Sequence, residues 1–204
     1  MTTTTARTAP DVSTVGTFHA TAPRHGRGHD LDGWHITTGL PDLASKLTEV
    51  LGGKIITTAA GGFKINTAAR SVPILVNGPA DLVSDLRQPG PTGLLHHCNG
   101  THHLSPADKH GTPCGCPPLL ADRKIRAHNG TGPVPRTTLR FHLASRPHLG
   151  AFHFESTSWP LALAIPTLTT QGPTLCHLTI QVSEFTTASG LQLPTSIPAI
   201  TVDS

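Results

Sequence analysis

The chain has no tyrosine, a single methionine and only 4% aromatic residues. That scarcity argues against recognition of single-stranded nucleic acid by base stacking, which needs a row of exposed rings. Charged residues make up 13%, against about 25% in an average soluble domain. Only three glutamates are present, and none lies between residues 50 and 154. General acid–base catalysis draws on carboxylates, and no HExxH, GxSxG or phosphate-cradling glycine motif replaces them. The sequence therefore predicts a protein that is not an enzyme and has no small-molecule substrate. No apolar run approaches the ~18 residues of a membrane span, and the Thr-rich start lacks the charged and apolar regions of a signal peptide. A cytoplasmic protein without membrane contact is expected. In that setting Asn99-Gly100-Thr101 and Asn129-Gly130-Thr131 read as turns. The net charge of +3 and isoelectric point near 8.9 are too mild to announce nucleic acid by themselves.

What is present is the material of a folded domain. The 36% hydrophobic share rises to about 46% with the 20 glycines, an ordinary value for globular chains. At 204 residues the length suits one large domain or two small ones. Residues 1–13 carry no hydrophobic period and are expected to form a disordered tail before a domain over 14–204. A second polar, Gly-rich stretch at 20–32 is also expected to be mobile. Val15–Phe18 reads as a short edge strand and Trp34–Thr38 as a stronger one. Leu43, Leu47, Val50 and Leu51 then fall on one helical face, with Pro41 in the first turn and Gly52-Gly53 at the end.

Strands follow at 54–57, 62–67 and 72–76, then a passage at 78–93 punctuated by Pro and Gly. A helix is expected from Pro118 to His128. Leu139, Phe141 and Leu143 alternate with Arg140 and His142, and Phe152 with Phe154 resumes that scheme after a turn, which predicts a hairpin. Ser158 can cap a helix from Trp159 that Pro166 ends or kinks. Leu178–Val182 is a clear strand and Ile197–Val202 a weaker one. Because helices and strands do not alternate regularly, the expected fold is α+β: a single domain with a mixed or antiparallel sheet, two or three helices and a Cys/His-rich loop.

The chemistry concentrates in that loop. Cys98, Cys114 and Cys116 lie close in sequence, among His96, His97, His102, His103 and His110. Thiolate and imidazole together are the ligand set of tetrahedral zinc, and a structural ion adds folding energy that a Gly/Pro-rich segment cannot obtain from burial. The C-x15-C-x-C spacing is not that of a zinc finger, and the alternative is reduced thiols in a solvent-washed loop. Cys176 shares its parity with Leu178, Ile180 and Val182, so it is expected to be a buried structural cysteine. Arg123, Lys124, Arg126, Arg136, Arg140 and Arg146 form a run of positive charge with no acidic residue among them. It can touch phosphates or an acidic partner, or simply be a solvated face.

Several of these stretches resemble the recombination directionality factors of actinobacterial phages and prophages, the accessory proteins of large serine integrases. The likeness is carried by Cys98-Asn99-Gly100, by Gly111-Thr112-Pro113-Cys114-Gly115-Cys116-Pro117, and by Arg123–Gly130 with Arg136-Thr137-Thr138-Leu139. Asp32–Thr38 and Leu51-Gly52-Gly53 resemble the family's opening. Pro147–Ser156 resembles its central hairpin, and Leu178–Val182 with Leu193–Val202 its closing strands, so the likeness spans about residues 14–202. It implies a non-enzymatic factor that binds a serine integrase on attachment-site DNA and turns it to excisive recombination of attL with attR. Direct DNA contact through Arg123, Lys124, Arg126, Arg136 and Arg140 is then secondary. The alternative is a zinc-stabilised, DNA-binding phage or prophage regulator. Family members often have a fourth cysteine where this chain has Pro133. The family site implies structural zinc on Cys98, Cys114 and Cys116, with the fourth position left to His128, His97, His110, water or nothing. His128 is the expected fourth ligand.

Overall fold

The structure, a computed structural model, describes residues 14–20, 33–168, 172–186 and 190–202. The expected tail at 1–13 and most of the expected mobile stretch at 20–32 lie outside the described residues. Along the chain run β1 (Gly16–His19), β2 (His35–Thr38), α1 (Pro41–Leu51), β3 (Lys54–Thr57), β4 (Phe63–Asn66), β5 (Ser71–Val76), β6 (Leu82–Gly90), β7 (Gly93–Cys98) and β8 (His103–Ser105). They are followed by α2 (Leu120–His128), β9 (Val134–Leu143), β10 (Phe152–Ser156), α3 (Trp159–Ala164), β11 (Thr174–Thr186) and β12 (Gln192–Val202). Among the described residues the result is an α+β fold with a mixed sheet and three α-helices.

Helix α1 forms where the apolar spacing predicts it. Pro41 occupies the first turn, Leu43, Leu47 and Leu51 are buried on one face, and the chain leaves through Gly52 and Gly53 at φ 67° and 101°. Gly53 has a further reason to lack a side chain, because a Cβ there would sit 1.9 Å from the Asn66 carbonyl oxygen. At α3, Ser158 caps the helix through Leu161 N–H, and after Ala164 the helix gives way to a single 3-10 turn, Ile165–Leu168, that contains Pro166.

The strands pair in the order β12-β11-β5-β9-β10-β1-β2-β4-β3. The expected edge strand β1 is in fact interior. It runs parallel to β10 (Gly16↔Phe152 to Phe18↔Phe154) and antiparallel to β2. Pairing at that distance in sequence leaves no local signal, so a four-residue strand reads as marginal. β9 organises the rest. β10 takes one of its edges, while β5 and then β6 run in succession along the other, interrupted by a 3-10 turn at Pro79–Asp81. The sheet forks there into a β5-β11-β12 branch and a β6-β7-β8 wing.

One face of this sheet is the core. Phe18, Phe141, Phe152 and Phe154 are all buried, with Phe18 edge-on to Phe141 at 5.1 Å and to Phe152 at 5.4 Å. Trp34 completes the aromatic group at 5.3 Å from Phe154, and its indole N–H donates to the Arg70 carbonyl. The leucines of α1, Leu161 of α3 and Cys176 of β11 join the same cluster, so Cys176 is the buried cysteine its parity predicts. Burial of this apolar surface, at about 25 cal/mol per Å2, is the dominant favourable term for the domain. The β6-β7-β8 wing has a much smaller core of its own: Leu86, Cys98 and Cys114 with Cys116 and Trp159 packed against them.

Candidate metal centre

The wing brings four donor groups together. In β7, His96 and Cys98 are two residues apart and therefore share a face of the strand, opposite Gln88 and Leu86 of β6. Beyond β8 the chain turns back on itself. His103 N–H donates to Thr112 O, Gly111 N–H to His103 O and Cys114 N–H to Thr101 O. That return delivers Cys114 and Cys116 to the same face. Gly115 between them adopts φ 70°, the left-handed conformation that lets a C-x-C pair turn both thiols inward.

The donor atoms of His96, Cys98, Cys114 and Cys116 all lie within 4.8 Å of one another. Cys98 Sγ is 3.6 Å from Cys116 Sγ, and Cys116 Sγ is 3.5 Å from His96 Nε2. Ligands held tetrahedrally by an ion at about 2.3 Å from sulfur and about 2.1 Å from nitrogen must be separated by roughly these distances. A disulfide would need about 2.05 Å, and all four cysteines of the chain are free. Burial pushes the Cys98 and Cys116 thiols up and the His96 imidazole down. Neutral imidazole is the form that ligates, and a bound cation offsets the cost of burying thiolates. The four residues thus form a possible metal site, closed by four protein donors.

The fourth donor is His96 rather than His128. His128 ends α2 and is exposed, outside the group. His110 sits exposed in the turn after β8. His97 has the wrong parity in β7 and faces the other side of the wing, where it bridges Ser105 Oγ at 2.9 Å and Asp85 Oδ2 at 3.0 Å. The H-x-C pattern of a strand was the signal that selects His96.

Of the predicted basic residues, Arg123 belongs to the centre. Its guanidinium donates to the carbonyls of Pro117 and Gly100, tying the cysteine-bearing loop to the turn after β7. Arg136 and Arg140 are engaged within the fold, with Glu155 at 2.6 Å and Asp81 at 3.4 Å. Both partners are remote in sequence, which is why the run reads as uncompensated. Lys124 and Arg126 are exposed on α2, and Arg146 is exposed beyond β9.

On the face opposite the centre, Asp85 is 5% exposed and receives Arg87 through two hydrogen bonds of 2.8 and 2.7 Å. Burial alone would raise its pKa, but the hydrogen bonds from Arg87 and His97 outweigh that and hold it below the ordinary carboxylate range. A carboxylate with a depressed folded-state pKa contributes stability above its unfolded pKa and loses it as pH falls through the folded one. Asp85→Asn is therefore expected to lower the urea midpoint near neutral pH and to flatten its decline towards about pH 2. Parallel acid limbs for the two proteins would contradict this role.

No family model matches the chain, and no solved structure matches it. Fold and site together define a mixed-sheet α+β domain whose lateral wing carries a cluster of three cysteines and one histidine. Among the described residues no helix is long and apolar enough to cross a membrane.

Proposed function

We propose that the chain is a recombination directionality factor: a cytoplasmic, non-enzymatic protein that binds a large serine integrase on attachment-site DNA and turns it to attL × attR recombination. The ion at the three-cysteine, one-histidine site is zinc, in a structural role. One observation carries the reading. The motif pieces that resemble the family, Cys98-Asn99-Gly100, Cys114-Gly115-Cys116-Pro117 and Arg123, converge on one site, joined by the Arg123 hydrogen bonds to Gly100 and Pro117. The donor set also supports a structural ion. Three cysteines and a histidine fill a tetrahedron, whereas catalytic zinc keeps a position for water or substrate.

Mechanistically, such a factor acts only by binding one integrase–DNA arrangement more tightly than another, since a ligand shifts an equilibrium by its differential affinity. Reversing a preference from about 1:99 to 99:1 takes ~5.5 kcal/mol of that difference. The test is in vitro recombination with the serine integrase encoded nearest to the chain. Product from attL and attR only when the protein is added is the expected result. An integrase that neither binds the folded protein nor changes direction would overturn the proposal. The exposed Lys124 and Arg126 favour one alternative, a DNA-binding regulator, whose signature is DNA affinity falling steeply with salt without any integrase.

A further inference from the structure

Beside the four metal-site donors lies a cavity of about 160 Å3, between α2, the β6–β7 ladder and the loops at 114–117 and 131–133. We propose that this cavity is a binding site for a carboxylate group. His96, Cys114 and Cys116 stand along it, as do Arg123 and Arg126, and no aspartate or glutamate lines it. Arg123 is fixed in place by its two carbonyl acceptors, so part of its donor fork is oriented before any ligand arrives. Arg126 is exposed and makes no side-chain hydrogen bond or ion pair among the described residues. Its position depends on Gly132, where a Cβ would come within 2.8 Å of Arg126 Cβ. The glycine lets the end of α2 lie close against the following loop, with Arg126 over the cavity.

Charge selects the ligand class. With a divalent ion bound, three thiolates and a neutral imidazole would leave the centre with one net negative charge, beside the two positive charges of Arg123 and Arg126. The surplus of one positive charge matches a monoanion and is a poor match for a phosphate dianion. Size agrees, because the cavity is far below the ~300 Å3 of a drug-sized or cofactor site. It accommodates the carboxylate end of a small acid, or an aspartate or glutamate side chain from another protein, with Leu86 and Pro133 against its methylenes. The inference is independent of the integrase reading but rests on the metal ion proposed for the neighbouring site.

The experiment is calorimetric titration of the zinc-loaded full chain with acetate, with N-acetylglutamate amide as a side-chain mimic, and with inorganic phosphate. Saturable binding of a carboxylate, weakened about tenfold or more by Arg126→Gln and less by Arg126→Lys at unchanged zinc content, is expected. Tighter binding of the glutamate amide assigns the site to a partner's side chain, and equal or tighter binding of acetate assigns it to a free acid. Absence of saturation by both carboxylates, tighter binding of phosphate, or an Arg126→Gln variant with unchanged affinity would each overturn the proposal. Should the purified chain hold no zinc, the negative charge that selects a monoanion is missing, and the proposal is overturned together with the ligand set it rests on.

Discussion

Cys98→Ser is expected to abolish metal binding and to loosen the outer part of the wing, β7, β8 and the loop to Cys116, which unlike β6 has no pairing with β9. The magnitude follows from what else holds that wing. Its buried core is only Leu86, Cys98 and Cys114, with Trp159 and Cys116 alongside, while the loop between Cys98 and Cys114 is mostly exposed. A structural zinc site supplies apparent binding free energies of about 10–16 kcal/mol in small domains, as large as the entire ~5–15 kcal/mol stability of a typical fold. Metal content should fall from one ion per chain to none. Backbone amides of His103 and Cys114, which close the return to Thr112 and Thr101, should lose hydrogen-exchange protection. A strong chelator should reproduce both effects in the unsubstituted chain. Cys176→Ala serves as the control, since Cys176 lies in the main core and outside the ligand group. Retention of a full equivalent of metal by the Cys98→Ser protein would rule out the assigned ligand set.

The main core responds to a different substitution. Phe152 is fully buried, edge-on to Phe18 and stacked on Phe141 at 6.1 Å, and it sits against the Gly16 backbone of the neighbouring parallel strand. Truncation to alanine removes the transfer energy of the ring and leaves a cavity that three rigid strands cannot collapse. A loss of about 3–5 kcal/mol is expected, read as a lower midpoint in urea unfolding at unchanged metal stoichiometry. The two substitutions thus separate the stability of the sheet from that of its wing. A change below about 1 kcal/mol at Phe152 would mean that the three-strand packing is not as described.

What could be read from the sequence was local. α1, the Ser158 cap, the helix end just before Pro166 and the Leu139–Phe154 hairpin all follow from local spacing and capping, and each is present. β6 was hidden because Ser84 faces Thr137 on its inward side, and Pro89-Gly90 closes it where a turn is expected. Its hydrogen-bonded partners, β7 and β9, rather than its own hydrophobicity, make it a strand. The three cysteines of the possible metal site were visible as a composition. The histidine was not, because choosing among the neighbouring histidines requires knowing that residue 96 is in a strand in phase with Cys98. Arg136 and Arg140 looked like free charge because Glu155 and Asp81 reach them only through the sheet.

The position of β1 sets an order of events during synthesis. Its β2 neighbour follows closely in the chain and ends at Thr38, but the β10 strand against its other edge ends at Ser156. At about 5–20 residues per second, that edge stays open on the ribosome for on the order of ten seconds. Through that interval Gly16–Phe18 presents unpaired backbone groups and a core phenylalanine that has Trp34 beside it but lacks two of its ring partners, Phe141 and Phe152. An open strand edge of this kind is a template for wrong pairing, so the final register of β1 depends on the last third of the chain being made.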